Sequence, residues 1–367
     1  MTVALGEPLR PGIGLNDMAF IPFVMMGFPP CVKRAVVEIG IGAKGQMETF
    51  ARLTRPTICV VTTVGTDHSH SLGSLENTRD EKAKMVRALP SQGVAVLNAD
   101  DENVPWMAGE TSARVVTYGL KGSPDVLGEH LEPNWPHGTR MRVHVEGRSY
   151  SVNSPLTGRH LAYNVLAALA TAYAEGIPIG EACGSLEALT PTPGRMEPIP
   201  LANGATLLCD YSTSTLETVE AALHSLKELP ADRRIVVLGD VTEVPGSVGP
   251  IYRRMGVLLA GAANLVVLYG KDTQPYRTGA TRAGMPRDSI VEVGRNIQVA
   301  VEFLKKELRR GDVVLLKARR LQRFNRIAMA LSGREVRCDL TVCRAVPSEC
   351  ETCPMAEHGW EGLRPAF

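Results

Sequence analysis

Short apolar, β-branched runs alternate with helix-patterned stretches along almost the whole chain, and that alternation leaves few folds open. Residues 34–39 (RAVVEI), 57–64 (TICVVTTV), 93–98 (GVAVLN) and 114–118 (RVVTY) read as buried, parallel-type strands. Between them, 75–89 places apolar residues at helical spacing with charges opposite. Strands apolar on both faces must be covered on both sides, so an α/β layer around a mainly parallel sheet is expected. From 140 to 153 the pattern changes to period two around Glu146-Gly147, which predicts an antiparallel hairpin appended to the first sheet. An Ala-rich helix follows over 162–175, with Gly176 as its stop.

Residues 190–200 (TPTPGRMEPIP) carry Pro191, Pro193, Pro198 and Pro200 and read as a linker or hinge. Beyond it the alternation resumes. Strands are expected at 205–210, 234–240, 264–269, 289–293 and 312–317, with helices at 218–229, 251–260, 297–309 and 321–331. This is a second, Rossmann-like α/β domain. The expected organisation is a first domain over 1–192, a second over 193–337 and a Cys-rich tail over 338–367.

Composition narrows the function classes. A chain of 367 residues has room for two or three domains, and 44% apolar with 22% charged residues is ordinary globular usage. Forty Lys and Arg against 39 Asp and Glu give a net charge of +1, which supports neither nucleic-acid nor anionic-membrane binding. The apolar stretch 19–32 is broken by Pro22, Pro29 and Pro30 and is too short to span a bilayer. No basic segment followed by an apolar run opens the chain, so a cytoplasmic protein is expected.

Two groups of residues could carry chemistry. Glu38 ends an apolar run beside Gly40 and Gly42, and His68 follows the next run in Thr66-Asp67-His68-Ser69-His70. Carboxyl ends of parallel strands are where α/β sheets bind ligands, so this acid and imidazole could converge on a divalent metal. Read alone, both are equally ordinary solvated strand-end residues. Cys338, Cys343, Cys350 and Cys353 have the spacing C-x4-C-x6-C-x2-C. Four thiolates that close in sequence could hold zinc or an iron–sulfur cluster, or be free thiols or a redox disulfide. Cys31, Cys59, Cys183 and Cys209 lie in apolar segments and read as buried thiols.

The run VVEIGIGAKGQ, then LTRPTICVVTTVGTDHSHSLGSLENTRDEKAKMVRALPSQGVAVLNADD, resembles the central domain of the Mur ligases, most closely the D-alanyl-D-alanine-adding branch. GRHLAYNVLAALA is similar to that family's G-x-H-N-x-x-N-x-x-A-A segment and PGRME to its domain-junction motif. RRIVVLGDVTEV and GDVVLLKARRLQRF are similar to segments of its C-terminal domain. The resemblance implies a Mur-ligase-like central domain followed by a Rossmann-like C-terminal domain, and an ATP-dependent joining of a small-molecule carboxylate to an amine. It also implies roles residue by residue. Glu38 and His68 match magnesium ligands. Lys82 matches a lysine that is carbamylated in several members. Asn164 matches an adenine contact, and Arg195 and Asp210 match residues that close over the nucleotide.

The sequence departs from the family in one central respect. No G-x-x-G-K-[ST] run, the type of loop that cradles ATP phosphates, occurs in it. The comparison places the start of this sequence just after the helix that should follow that loop, so the central domain is expected to be incomplete at its N-terminal end. Leu161 replaces an asparagine, and Asp210-Tyr211-Ser212-Thr213-Ser214-Thr215-Leu216 lacks the asparagines and proline of the D-x-Y-N-A-N-P-type loop. The expected protein is a ligase component that uses Mg²⁺ and ATP and is completed by a second polypeptide or a second copy of itself. The competing readings are a non-catalytic scaffold and a zinc or iron–sulfur module.

Overall fold

The computed structural model describes residues 1–5, 21–28, 32–65, 69–242, 244, 246–345 and 349–359. The chain divides into two compact units, Met1–Thr190 and Pro191–Phe367.

In the first unit, α1 (Ile21–Met26) and α2 (Gln46–Thr54) precede β1 (Ile58–Val61). Next come α3 (Ser69–Leu72), α4 (Leu75–Arg87), β2 (Val94–Asn98) and β3 (Arg114–Gly119), then β4 (Val126–Pro133), β5 (Thr139–Val145) and β6 (Arg148–Ser154). Helices α5 (Arg159–Ala174) and α6 (Ile179–Glu187) close the unit. The six strands form one sheet in the order β1-β2-β3-β4-β5-β6. The β1 to β4 pairings are parallel, and those of β5 with β4 and β6 are antiparallel. Alternate residues of β2 face opposite sides. Val96 packs in the cluster with α5 and α6, whereas Ala95 and Leu97 pack with Met47 and Phe50 of α2 and Met85 of α4. The hairpin turns at Glu146 (φ 48°) and Gly147 (φ 74°), a pair of left-handed residues that matches the twist of the flanking strands.

Two expectations need correction here. Residues 34–39 join no ladder among the described residues. A strand is defined by a neighbour's N–H and C=O groups, and an apolar pattern alone does not supply one. The hairpin is joined to the sheet by β4, which sequence periodicity missed because Gly128, His130 and Pro133 interrupt its alternation.

The second unit opens with β7 (Glu197–Pro200), so the end of the proline-rich segment is an edge strand rather than a linker. It continues with β8 (Thr206–Asp210), α7 (Leu216–Glu228), β9 (Arg233–Leu238), α8 (Val248–Ala262), β10 (Leu265–Leu268), α9 (Gln274–Arg282) and β11 (Ile290–Glu292). The last elements are α10 (Ile297–Glu307), β12 (Asp312–Lys317), α11 (Asn325–Leu331) and α12 (Met355–His358). Helix α9 is polar and was not anticipated. It is held against α8, where Gly279 and Gly256 permit close backbone approach. The strand order is β11-β10-β9-β12-β8-β7, parallel except for β7. The chain steps outward through β8, β9, β10 and β11 and then doubles back, so that β12 inserts between β9 and β8. Asn296 caps α10 by accepting from the Gln298 and Val299 N–H groups. No helix among the described residues is long and apolar enough to cross a membrane.

β12 is buried at all six positions. Leu315→Ala is expected to destabilise the second unit by about 2–5 kcal/mol through lost burial and a residual cavity. Val299→Ala, at a position 43% exposed, is expected to stay within about 0.5 kcal/mol of the parent. Urea unfolding monitored by circular dichroism checks both.

Candidate functional site

In the first unit, polar side chains gather where β1 and β2 end. The Asn98 side-chain amide donates to the Thr62 carbonyl at 2.8 Å. One oxygen of Asp101 accepts from Thr63 Oγ1 at 2.7 Å and from the Val64 N–H at 3.1 Å. Its other oxygen accepts from the Asn103 and Val104 N–H groups. Lys82, half-buried on α4, donates from Nζ to the Thr63 carbonyl at 2.7 Å. A helix lysine and a strand-end carboxylate thus fix the backbone that leads out of β1. Asp100 accepts from the Leu120 N–H at 2.6 Å and from the Tyr163 hydroxyl at 2.8 Å, tying α5 to the same edge. Burial, with Asp100 beside it, pushes the Tyr163 phenol well above its ordinary range, so it stays a hydrogen-bond donor at neutral pH.

Beneath Lys82, Glu81 has a side chain only 1% exposed. It accepts from the Met47 N–H at 3.0 Å and pairs with Lys84 at 2.6 Å. Burial pushes this carboxyl up, but the Lys84 ammonium and the Gly45 and Met47 N–H groups outweigh it and hold it below its usual value. Glu81 therefore orients α4 and the entry to α2.

The sequence-predicted residues of this unit are distributed as follows. Glu38 is exposed within 34–39, and Asn164 is exposed on α5 next to Tyr163. Lys82 is held at the β1 loop. His68 lies outside the described residues. No three His, Cys, Asp or Glu side chains among the described residues form a cation-binding group. The Glu38 carboxylate is the hard oxygen donor type that Mg²⁺ takes.

In the second unit the strand ends carry a buried ion pair. Lys317 Nζ lies 2.6 Å from Asp210 Oδ2, with side chains 1% and 8% exposed. Burial lowers the Lys317 pKa, Asp210 works against that shift, and the charge of Arg195 adds to it. Arg195 is near enough to Lys317 to act on its charge. Arg195 is exposed and reaches Thr213 Oγ1 at 3.5 Å. Lys317 was missed by sequence reasoning, although a lysine closing the apolar run VVLL was its signal. Beside it, Asp240 receives Arg295 and Arg319 at 3.4 Å each, and the Asp240 N–H donates to Gln322 Oε1. This edge, at the carboxyl ends of β8, β9 and β12, presents cationic groups around Asp210 and Asp240, an arrangement suited to an anionic ligand.

The family models decide the relationship. The Mur ligase middle domain matches residues 13–172, and the Mur ligase glutamate ligase domain matches 194–320. The chain belongs to the Mur ligase family. Among relatives, it is 28% identical over 287 residues to the UDP-N-acetylmuramoyl-tripeptide–D-alanyl-D-alanine ligase of Escherichia coli K12, covering 76% of this chain and 63% of that one. The enzyme of the same name from Synechocystis is 30% identical over 307 residues, covering 83% and 64%. This Mur ligase chain thus spans a little under two thirds of the length of these relatives. Among solved structures, MurF from Acinetobacter baumannii shares the fold with a TM-score of 0.79 at 20% identity, over 91% of this chain and 73% of that one. The Thermotoga maritima MurF structure in complex with ADP has a TM-score of 0.69 at 17% identity, covering 82% and 68%.

Two measurements follow from this geometry. Glu81 is held below its usual pKa, so its contribution to stability is complete above the unfolded-state carboxylate pKa and is lost as pH falls through the folded value. Glu81→Gln is therefore expected to lower the melting temperature near neutrality and to flatten its fall between roughly pH 5 and 3, a profile read by calorimetry at stepped pH. Lys317→Met strands a buried Asp210 and is expected to cost about 3–5 kcal/mol. The double variant Lys317→Met/Asp210→Leu is expected to regain most of that in denaturant melts.

Proposed function

We propose that this Mur ligase chain is a component of an ATP-dependent carboxylate–amine ligase acting on a peptidoglycan precursor, completed by a second polypeptide that carries the phosphate loop. The observation that carries this reading is the state of the β1 edge. Its carboxyl end is organised by Lys82, Asp101 and Asn98, while β1 is the terminal strand of its sheet among the described residues. A decayed active-site edge has no reason to keep a half-buried lysine bonded to the strand-end carbonyl. The printed sequence contains no G-x-x-G-K-[ST] run, and a parallel strand laid beside β1 would place such a loop at the same edge as Lys82.

In the proposed reaction the substrate carboxylate attacks the γ-phosphorus of ATP, releasing ADP and leaving an acyl phosphate. The amine then adds to the acyl carbon, and collapse of the tetrahedral adduct expels inorganic phosphate and forms the amide. Mg²⁺, when bound, neutralises the transferring phosphoryl oxygens. Glu38 and His68 would hold it, with Lys82 beside them as a cation or, once carbamylated, as a further oxygen ligand. Asn164 would meet the adenine. Asp210, braced by Lys317, and Arg195 would contact the nucleotide. An edge of β1 with no ladder partner among the described residues also favours association, because a half-buried unpaired backbone group costs about 1–3 kcal/mol.

Calorimetric titration of the isolated chain with Mg-ATP is expected to show only weak binding, and a micromolar dissociation constant would overturn the split arrangement. Light scattering at micromolar concentration is expected to find a self-associated chain or, on adding the phosphate-loop polypeptide, a stable complex that releases phosphate when carboxylate and amine are supplied. A monodisperse monomer with a cooperative melt that gains no activity from any phosphate-loop partner would favour a non-catalytic scaffold.

A further inference from the structure

The loop that leaves β12 is bonded on two sides. Toward the strand-end edge it presents Arg319, whose Nη2 lies 3.4 Å from Asp240 Oδ2, and Gln322, whose Oε1 accepts from the Asp240 N–H at 3.0 Å. Gln322 is 1% exposed, and its Nε2 and the Arg319 Nε have no hydrogen-bond partner among the described residues. Shielded donors of that kind carry a desolvation cost until an acceptor meets them. The backbone turns tightly here, with the Gln322 N–H donating to the Arg319 carbonyl, and then passes through Arg323 at φ 54°. A residue with a Cβ is disfavoured in that left-handed region, so the turn needs outside support.

The support comes from the chain beyond α11, which folds back against this same loop. The Cys343 N–H donates to the Leu321 carbonyl at 2.9 Å. Arg323, 3% exposed, donates to the Ala345 carbonyl and approaches Glu349, which also pairs with Arg320. The Asn325 side-chain amide donates to Glu351 at 3.0 Å. Arg326 is fully buried and ties the two layers together. It donates to the Gln322 and Arg323 carbonyls on the loop and to the Cys338 and Leu340 carbonyls on the returning segment. Arg320, Leu321, Arg323, Asn325 and Arg326 thus all bond the tail directly. The two residues interleaved with them look the other way: Gln322 reaches Asp240, and Phe324 packs edge-on against Tyr269 just beyond β10.

We propose that the C-terminal segment is a strap that positions Arg319 and Gln322 for the anionic ligand of this edge, with Arg323, Arg326, Glu349 and Glu351 as positioning residues. The proposal rests on reading the edge as the ligand edge of the proposed ligase. Slackening the strap releases the left-handed turn at Arg323, and the Gln322 acceptor and the Arg319 guanidinium then move off Asp240. Linkage makes the effect reciprocal, so an anion that engages Arg319 also tightens the strap.

The test compares the full chain with Glu349→Ala/Glu351→Ala, two exposed tail positions at which the fold is kept; the buried Arg326 is left intact. Hydrogen exchange followed by NMR reads the Asp240 amide, which bonds to Gln322 rather than to the tail. Its exchange is expected to be several-fold faster in the double variant. Glu357→Ala, which unpairs only Arg334 outside the loop, is expected to leave it unchanged. Titration with inorganic pyrophosphate is expected to shift the Asp240 and Arg319 amide signals of the parent, with several-fold weaker binding in the double variant. Removing two negative charges would by itself tighten an anion, so weakening reports position rather than charge. Unchanged exchange at Asp240, or pyrophosphate binding that is unchanged or tighter, would overturn the proposal. A parent chain whose edge signals ignore pyrophosphate would instead overturn the ligand reading of the edge, and the exchange comparison still decides the strap.

Discussion

β12 is apolar on both faces and buried from end to end, and a strand of that kind has no exposed face on which to place function. It must lie in the middle of its sheet with helices on both sides, which leaves only its ends for polar groups. Both ends carry a buried charge, and each charge is answered by a partner from a neighbouring strand. Asp312 at the start receives Arg233 of β9 at 2.8 Å, and Lys317 at the finish meets Asp210 of β8. These two contacts hold three central strands in register. They also make the carboxyl edge of the second unit a place where charge is already fixed before any ligand arrives.

The first unit solves the same problem differently. Its strand-end polar groups are bonded mainly to backbone, with Asn98, Asp101 and Lys82 all anchoring residues 62–64. The loop beyond β1 is thereby held from three elements at once, while the opposite, outer edge of β1 has no ladder partner among the described residues. Order at the strand end is thus combined with an outer edge that has no partner among the described residues.

Cysteines elsewhere in the protein show by contrast what the tail is not. Burial pushes the Cys59 thiol up to about 12 and the Cys183 thiol to about 11, so both are inert, small apolar side chains. The tail is instead held by a buried guanidinium, with Arg326 donating to the Cys338 and Leu340 carbonyls.

Periodicity and turn chemistry by themselves determined most of the architecture. The two α/β units, the Glu146-Gly147 hairpin and the buried run of β12 all follow from local pattern, because burial on two faces and a left-handed turn each leave a direct mark on sequence. The motifs at Glu38, Lys82, Asn164, Arg195 and Asp210 were legible through their resemblance to the Mur ligases. Only the tertiary structure decided that residues 34–39 join no ladder among the described residues, since pairing depends on a neighbour distant in sequence. Likewise it paired Lys317 with Asp210, 107 positions away, and buried Arg326 among the tail residues. Such partners are chosen by which strands and segments become adjacent, and side-chain type carries no record of that.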